Sequence, residues 1–178
     1  MERFLIISLQ INFYTMKRLY FTLFLVFLFT YSFAQESQLF IKGKVDNDIK
    51  EPLSGCNIQL FQDDNLIKMI TADSSGRFNL DSLPVGHIYD LFFEAENYAL
   101  KFVRIDVKSA DPKDMVKFPL EINMALFSTI GVKPEKLYFL QSEPYAIARY
   151  NSVIENIEWD AAYLEKMKKK TDQARGLK

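Results

Sequence analysis

Cysteine, histidine and tryptophan each occur once in these 178 residues. The single cysteine, Cys56, leaves no internal disulfide to staple the fold. One His and one Cys cannot supply the three or four nitrogen or sulfur ligands of a zinc site, which is thereby excluded. A Ser-His-Asp or Cys-His site would have to use His87. That residue directly follows a Pro-Val-Gly turn at a strand start, where a turn role is the better reading. Neither sign of charge dominates, with 22 Lys+Arg against 23 Asp+Glu. The basic stripe of a nucleic-acid binder is therefore missing. No internal repeat or low-complexity segment is present. Aromatic bulk is plentiful: 16 Phe and 9 Tyr can fill a sizeable core.

The N-terminus reads as a targeting segment. Lys17-Arg18 precedes a dense apolar run, Leu19 to Phe29, and then the small residues Ser32 and Ala34 two apart. That order is a secretory signal peptide over residues 1–34, and the run is shorter than the roughly 20 apolar residues of a membrane span. Met16 stands just before the basic pair, and translation from there gives the same mature protein, beginning near Gln35. Removing residues 1–34 takes away Arg3, Lys17, Arg18 and Glu2, leaving 19 basic and 22 acidic residues. The expectation is an exported chain, periplasmic or at the cell surface, with no stable membrane span after cleavage. In an oxidising compartment a lone thiol is safe when buried. The alternation of Cys56 with Ile58 and Leu60 places it in the core.

Seven strand-like runs follow at short spacing, the pattern of an all-β sandwich. Leu39, Ile41, Gly43 and Val45 share one face of the first, Phe40, Lys42 and Lys44 the other. Cys56, Ile58 and Leu60 mark the second, and Asp63-Asp64-Asn65 turns a hairpin into the third. That third strand, Leu66 to Ala72, is apolar on both faces and is expected to be covered on both. Asp73-Ser74-Ser75-Gly76 has Asp at the first and Gly at the fourth position of a type I turn. Phe78 and Leu80 form the fourth strand, and Leu83-Pro84-Val85-Gly86 is a second turn. Tyr89, Leu91, Phe93 and Ala95 face inward on the fifth. Asn97 makes a turn before the sixth, Tyr98 to Val107, where Val103, Ile105 and Val107 are in phase. The seventh, Val116 to Leu126, alternates strictly, and Pro119 marks it as an edge or a bulge.

The motifs Gly43-Lys44-Val45, Pro52-Leu53-Ser54-Gly55-Cys56, Asp73 to Phe78, Leu83 to Gly86 and Tyr89-Asp90-Leu91 together resemble the carboxypeptidase regulatory-like domain. The resemblance covers roughly Leu39 to Phe127. It implies a seven-stranded Greek-key, transthyretin (prealbumin)-like β-sandwich, and members are mostly non-catalytic envelope or secreted modules. In this sequence Asn97-Tyr98 stands where a Gly-Tyr pair is usual. The organisation expected is a signal peptide, a sandwich over residues 36–128 and a C-terminal extension over 129–178.

In that extension Tyr145 to Tyr150 and Ile154 to Trp159 read as a β-hairpin around Asn151-Ser152. Asp160 caps a final helix from Ala161 to about Ala174. Fifty residues are too few for a separate core without staples, so hairpin and helix are expected to pack back on the sandwich. The surface offered to them is the outward-phase set Phe40, Phe61 and Phe92. On the helix Leu164, Met167 and Thr171 form a contact stripe, with the lysine-rich end solvated.

The acidic loop Asp46-Asn47-Asp48 with Glu51 is the one calcium candidate, but it lacks the Gly and terminal Glu of the known loop. No catalytic residue, cofactor or metal is expected. The function expected is a non-enzymatic structural or protein-interaction module of the cell envelope, its partner another envelope protein. Phe40, Phe61, Phe92 and Trp159 are the candidate interaction surface. The alternative is a carbohydrate-binding module, for which phenylalanine is a poor platform because it has no hydrogen-bonding edge.

Overall fold

A computed structural model describes residues 38–110 and 117–177. The expected signal peptide, the alternative start at Met16, the mature start near Gln35 and Val116 lie outside the described residues. Among the described residues nine strands form two sheets. The first seven are β1 (Gln38–Asn47), β2 (Asn57–Gln62), β3 (Asn65–Thr71), β4 (Arg77–Pro84), β5 (Ile88–Glu94), β6 (Lys101–Asp106) and β7 (Lys117–Leu126). Two more, β8 (Ala146–Asn151) and β9 (Asn156–Trp159), belong to the extension. A short helix α1 (Phe139–Ser142) precedes them, and α2 (Ala161–Arg175) follows. The small sheet runs β4-β1-β7 and the large one β3-β2-β5-β6-β8-β9.

Alternation decides which side chains fill the space between the sheets. Leu39, Ile41 and Val45 of β1 meet Leu60, Leu91, Phe93 and Ile105 of the large sheet in one buried cluster. β7 alternates buried and exposed without exception over Lys117–Leu126. It pairs only with β1, in parallel, and so lies at the edge of the small sheet. Pro119, which has no N–H to give, is compatible with that place.

The turn after Ala72 carries the chain from β3 of the large sheet to β4 of the small one. Asp73 Oδ1 accepts from the N–H groups of Ser75 and Arg77, both at 2.8 Å. Gly76 takes φ +73°, and its carbonyl accepts the Val45 N–H at 2.8 Å. A Cβ at Gly76 would strike the Val45 carbonyl oxygen. Asn97 adopts φ +63°, a left-handed conformation that asparagine tolerates better than most residues.

Two expectations are corrected here. β3 is the outermost strand of the large sheet and, among the described residues, pairs with β2 alone. Leu66, Ile67 and Met69 are 49, 45 and 56% exposed. The core reaches only Ile70 at the end of the strand, and Leu66 to Met69 are uncovered. The hairpin does not lie on the outward phenylalanines either. β8 pairs in parallel with β6, Val103 opposite Ala146 through Asp106 opposite Arg149, and β9 pairs with β8. The free edge of β6 offered unpaired backbone groups, which a strand satisfies and a packed face would not. The hairpin loop is also longer than expected, Ser152 to Glu155, with Glu155 at φ +50°.

The terminal helix starts where Asp160 Oδ1 accepts the Tyr163 N–H at 2.9 Å. Met167 and Thr171 are buried and Leu164 half-buried, so the stripe meets the protein. The basic end is only partly solvated. Lys166, Lys168 and Lys169 are exposed, whereas Lys170 reaches Glu143 at 2.6 Å and Arg175 reaches Asp48 at 2.6 Å.

Candidate interaction surface

The β2–β3 hairpin carries the most exposed apolar strand of the protein. Its two turn residues, Asp63 and Asp64, have φ +47° and +67°, the type I′ geometry that matches strand twist. Asp63 also fastens the hairpin to β5. Its Oδ1 accepts the Ile88 N–H at 3.1 Å and its Oδ2 lies 2.6 Å from His87 Nδ1. The Ile88 N–H first, and His87 second, hold the Asp63 carboxyl below the usual carboxylate range. The one imidazole of the chain therefore serves as a clip for a turn.

Beside this hairpin, an aromatic row crosses the outer face of the large sheet. Phe61 of β2 meets Phe92 of β5 edge to face at 5.3 Å. Phe92 stacks on Phe102 of β6 at 4.5 Å. Phe102 is only 3% exposed, on the flank where α1 lies against β6. Phe61 and Phe92 are half-buried. At the open end Leu66 stands opposite Phe61 and Met69 opposite Gln59. The row thus runs from a covered flank at β6 to a bare edge at β3. Asp90 and Arg104 sit on the same face as a bidentate pair, with contacts of 2.8 and 2.6 Å.

The four residues expected to share a surface are divided among three places. Phe61 and Phe92 are together. Phe40 is on β1 in the other sheet, with the Lys117 ammonium 5.7 Å from its ring centroid. Trp159 is half-buried on the inner side of β9, packed against the main core. Leu66 and Met69 extend the exposed surface and buried Phe102 backs it, none of the three being among the residues expected there. Phe102 is out of phase with Val103 and Ile105, so alternation alone points it outward. Leu66 and Met69 are visibly apolar in the sequence, but only the strand order exposes them.

Other groups with chemical capacity are committed internally. Cys56 is 1% exposed, and burial pushes its thiol up to about 11. In the acidic loop, Asn47 Oδ1 accepts from Ile49 and Glu51 N–H groups at 3.1 and 2.8 Å. Asp48 is held by Arg175. Asp46 Oδ1 is 2.7 Å from the Lys44 ammonium, an ion pair without hydrogen-bond geometry, since that oxygen is buried and has no hydrogen-bond partner. Among the described residues no three His, Cys, Asp or Glu side chains cluster as metal ligands would.

Lys101, at the start of β6, is 4% exposed. Its ammonium donates to the Ala125 carbonyl at 2.6 Å and lies 4.0 Å from the Tyr145 ring centroid and 5.2 Å from that of Phe127. Burial first, and nearby Arg175 second, lower its pKa to about 8, with Asp172 and Asp48 opposing.

Residues 41–121 match the family model of the carboxypeptidase regulatory-like domain. That stretch of the sandwich resembles a carboxypeptidase regulatory-like domain. The matched stretch runs from β1 into β7 and includes the whole of the β2–β3 hairpin and the aromatic row. The matched residues fold as a sandwich of two β-sheets.

Among solved structures, 3-chlorocatechol 1,2-dioxygenase from Rhodococcus opacus 1CP is similar at 12% identity and TM-score 0.41, over 55% of this chain and 62% of that one. Catechol 1,2-dioxygenase from Pseudomonas arvilla C-1 has 12% identity and TM-score 0.41, over 55% and 54%. 5-Hydroxyisourate hydrolase from Klebsiella pneumoniae has 12% identity and TM-score 0.37, over 48% and 89%. The chain thus spans little more than half the length of the dioxygenases. No curated protein matches it. Beyond the matched stretch, β8, β9 and α2 extend and cap the same sandwich. Among the described residues no helix is long and apolar enough to cross a membrane.

Proposed function

We propose that the protein is a non-enzymatic module exported to the bacterial cell envelope, where it binds another envelope protein through the outer face of its large sheet. The observation that carries this is the apolar surface of Phe61, Phe92, Leu66 and Met69, continuous from the sheet face to its edge. Soluble proteins seldom leave such a surface bare unless something covers it. Export is supported by the basic, apolar and small-residue order of residues 17–34. A photo-crosslinking residue at Phe92, in cells that express the chain with its N-terminal segment, tests the reading. The expected result is one discrete envelope protein joined to a chain recovered in the periplasmic or surface fraction. Recovery in the cytoplasm, or crosslinking no greater than at exposed Glu135, overturns it.

Carbohydrate binding is the second reading, and one observation favours it. Trp159 lines a recess of about 380 Å³ with Tyr150, Arg149, Asn151, Glu158 and Asp160, an aromatic ring beside planar polar groups. A glycan array whose signal disappears with Trp159→Ala would support that reading over the first.

A further inference from the structure

Four strand edges close the two sheets, and three of them are blunted. β9 has four residues. β7 carries Pro119 between exposed Lys117 and Glu121. β4 is interrupted by Ser82 at φ +59° beside exposed Asp81. These are the usual devices that stop a sheet from adding a foreign strand. β3 is different. It spans seven residues, NLIKMIT, has no proline and carries one charge, Lys68. Its irregularity is a register slip against β2 between Leu60 and Phe61. Among the described residues no strand pairs with its outer row of N–H and C=O groups, and half-exposed apolar side chains flank it.

A second copy of the chain is a poor occupant. Lys68 is the central residue of Asn65–Thr71, so antiparallel pairing of two copies along the whole strand sets one Lys68 against the other. Like charges directly opposite each other destabilise a strand pair. The apolar surface gained is also small, three half-exposed side chains per copy, against roughly 800 Å² per partner in a standard interface. A strand from a different polypeptide escapes both problems. Its main chain supplies the hydrogen bonds, and a carboxylate at its centre complements Lys68.

We propose that β3 is a strand-addition edge whose occupant is an extended segment of another polypeptide, apolar at alternate positions and acidic opposite Lys68. This rests on the reading of the chain as a protein-binding module and gives that module its mode of binding.

The test uses the full mature chain, isotope-labelled for amide NMR, and two synthetic heptapeptides that alternate threonine and valine around a central Glu or Lys. The Glu peptide is expected to shift the amides of Asn65–Thr71 and to bind up to about fivefold more tightly than the Lys peptide, the upper range for one cross-strand pair. Lys68→Glu is expected to reverse that order. Amide shifts confined to other strands, or equal binding of both peptides, overturn the proposal. So does a dimer in sedimentation that Ile67→Asp abolishes, which would make a second copy the occupant. A partner crosslinked at Phe92 that leaves the β3 amides unprotected removes strand addition while the protein-binding reading stands.

Discussion

Replacing Lys101 by methionine tests how the end of the sandwich is held. The folded protein keeps this ammonium with one carbonyl and two aromatic rings. Its pKa of about 8 compares with 10.5 for a free lysine, and each pH unit between them is worth about 1.36 kcal/mol. The cost of holding the charge at neutral pH is therefore roughly 3 kcal/mol. Below pH 8 both folded and unfolded chains are protonated and the cost is complete. Between pH 8 and 10.5 only the unfolded chain keeps the proton, so stability rises with pH across that window. Methionine has similar length and no proton, so the variant lacks the rise. It also leaves the Ala125 carbonyl without its donor, a loss of about 1–3 kcal/mol that opposes the gain at pH 7. The slope is thus the decisive quantity. Urea unfolding followed by circular dichroism from pH 7 to 10.5 is expected to show the wild type gaining about 3 kcal/mol on Lys101→Met. Burial raises the pKa of Tyr89, Tyr145 and Tyr163; the ionisation of Tyr89 and Tyr163 is common to both proteins and cancels, whereas Tyr145 touches Lys101, so the slope is read below pH 10. Parallel stability profiles would refute the buried-cation reasoning.

Three further outcomes are expected. Cys56, buried and with a thiol pushed up to about 11, is expected to react with a thiol reagent at pH 8 only as fast as the protein opens. Cys56→Ala should cost on the order of 1 kcal/mol in urea unfolding. Gly76→Ala forces alanine to φ +73°, which costs about 1–2 kcal/mol before the collision with the Val45 carbonyl. A Tm unchanged to within a degree would contradict it. Ending the chain after Phe127 uncovers the β6 edge and the Lys101 side chain, so the truncated protein is expected to unfold at a clearly lower temperature than the untruncated one.

The strands were legible because burial writes itself into sequence as alternation. β1, β5 and β7 show this, and the Asp73 turn was legible because Asp and Gly have local backbone reasons to be there. Strand order has no local trace. Nothing in Leu66 to Met69 says that this strand is last in its sheet, and so its double apolar faces read as coverage. Phe40 and Phe61 share the outward phase, yet alternation cannot say that they belong to different sheets. The parallel pairing of β8 with β6 depends on residues some forty positions apart and on no motif. Lys101 reads as an ordinary polar strand residue, because its burial comes from Tyr145 and the end of α2, both distant in the chain.

The β6–β8 pairing also has a consequence in time. As the chain emerges from its N-terminus, β6 is complete long before β8 exists, and about 50 residues separate the end of β7 from the end of α2. At roughly 5–20 residues per second, synthesis leaves that interval open for about 3–10 s. A sandwich of this size can collapse within far less. Wherever the chain folds in the order in which it is made, β6 stands as a temporary rim until β8 pairs with it, and β8 and β9 act as a closing seam rather than as an ornament on a finished domain.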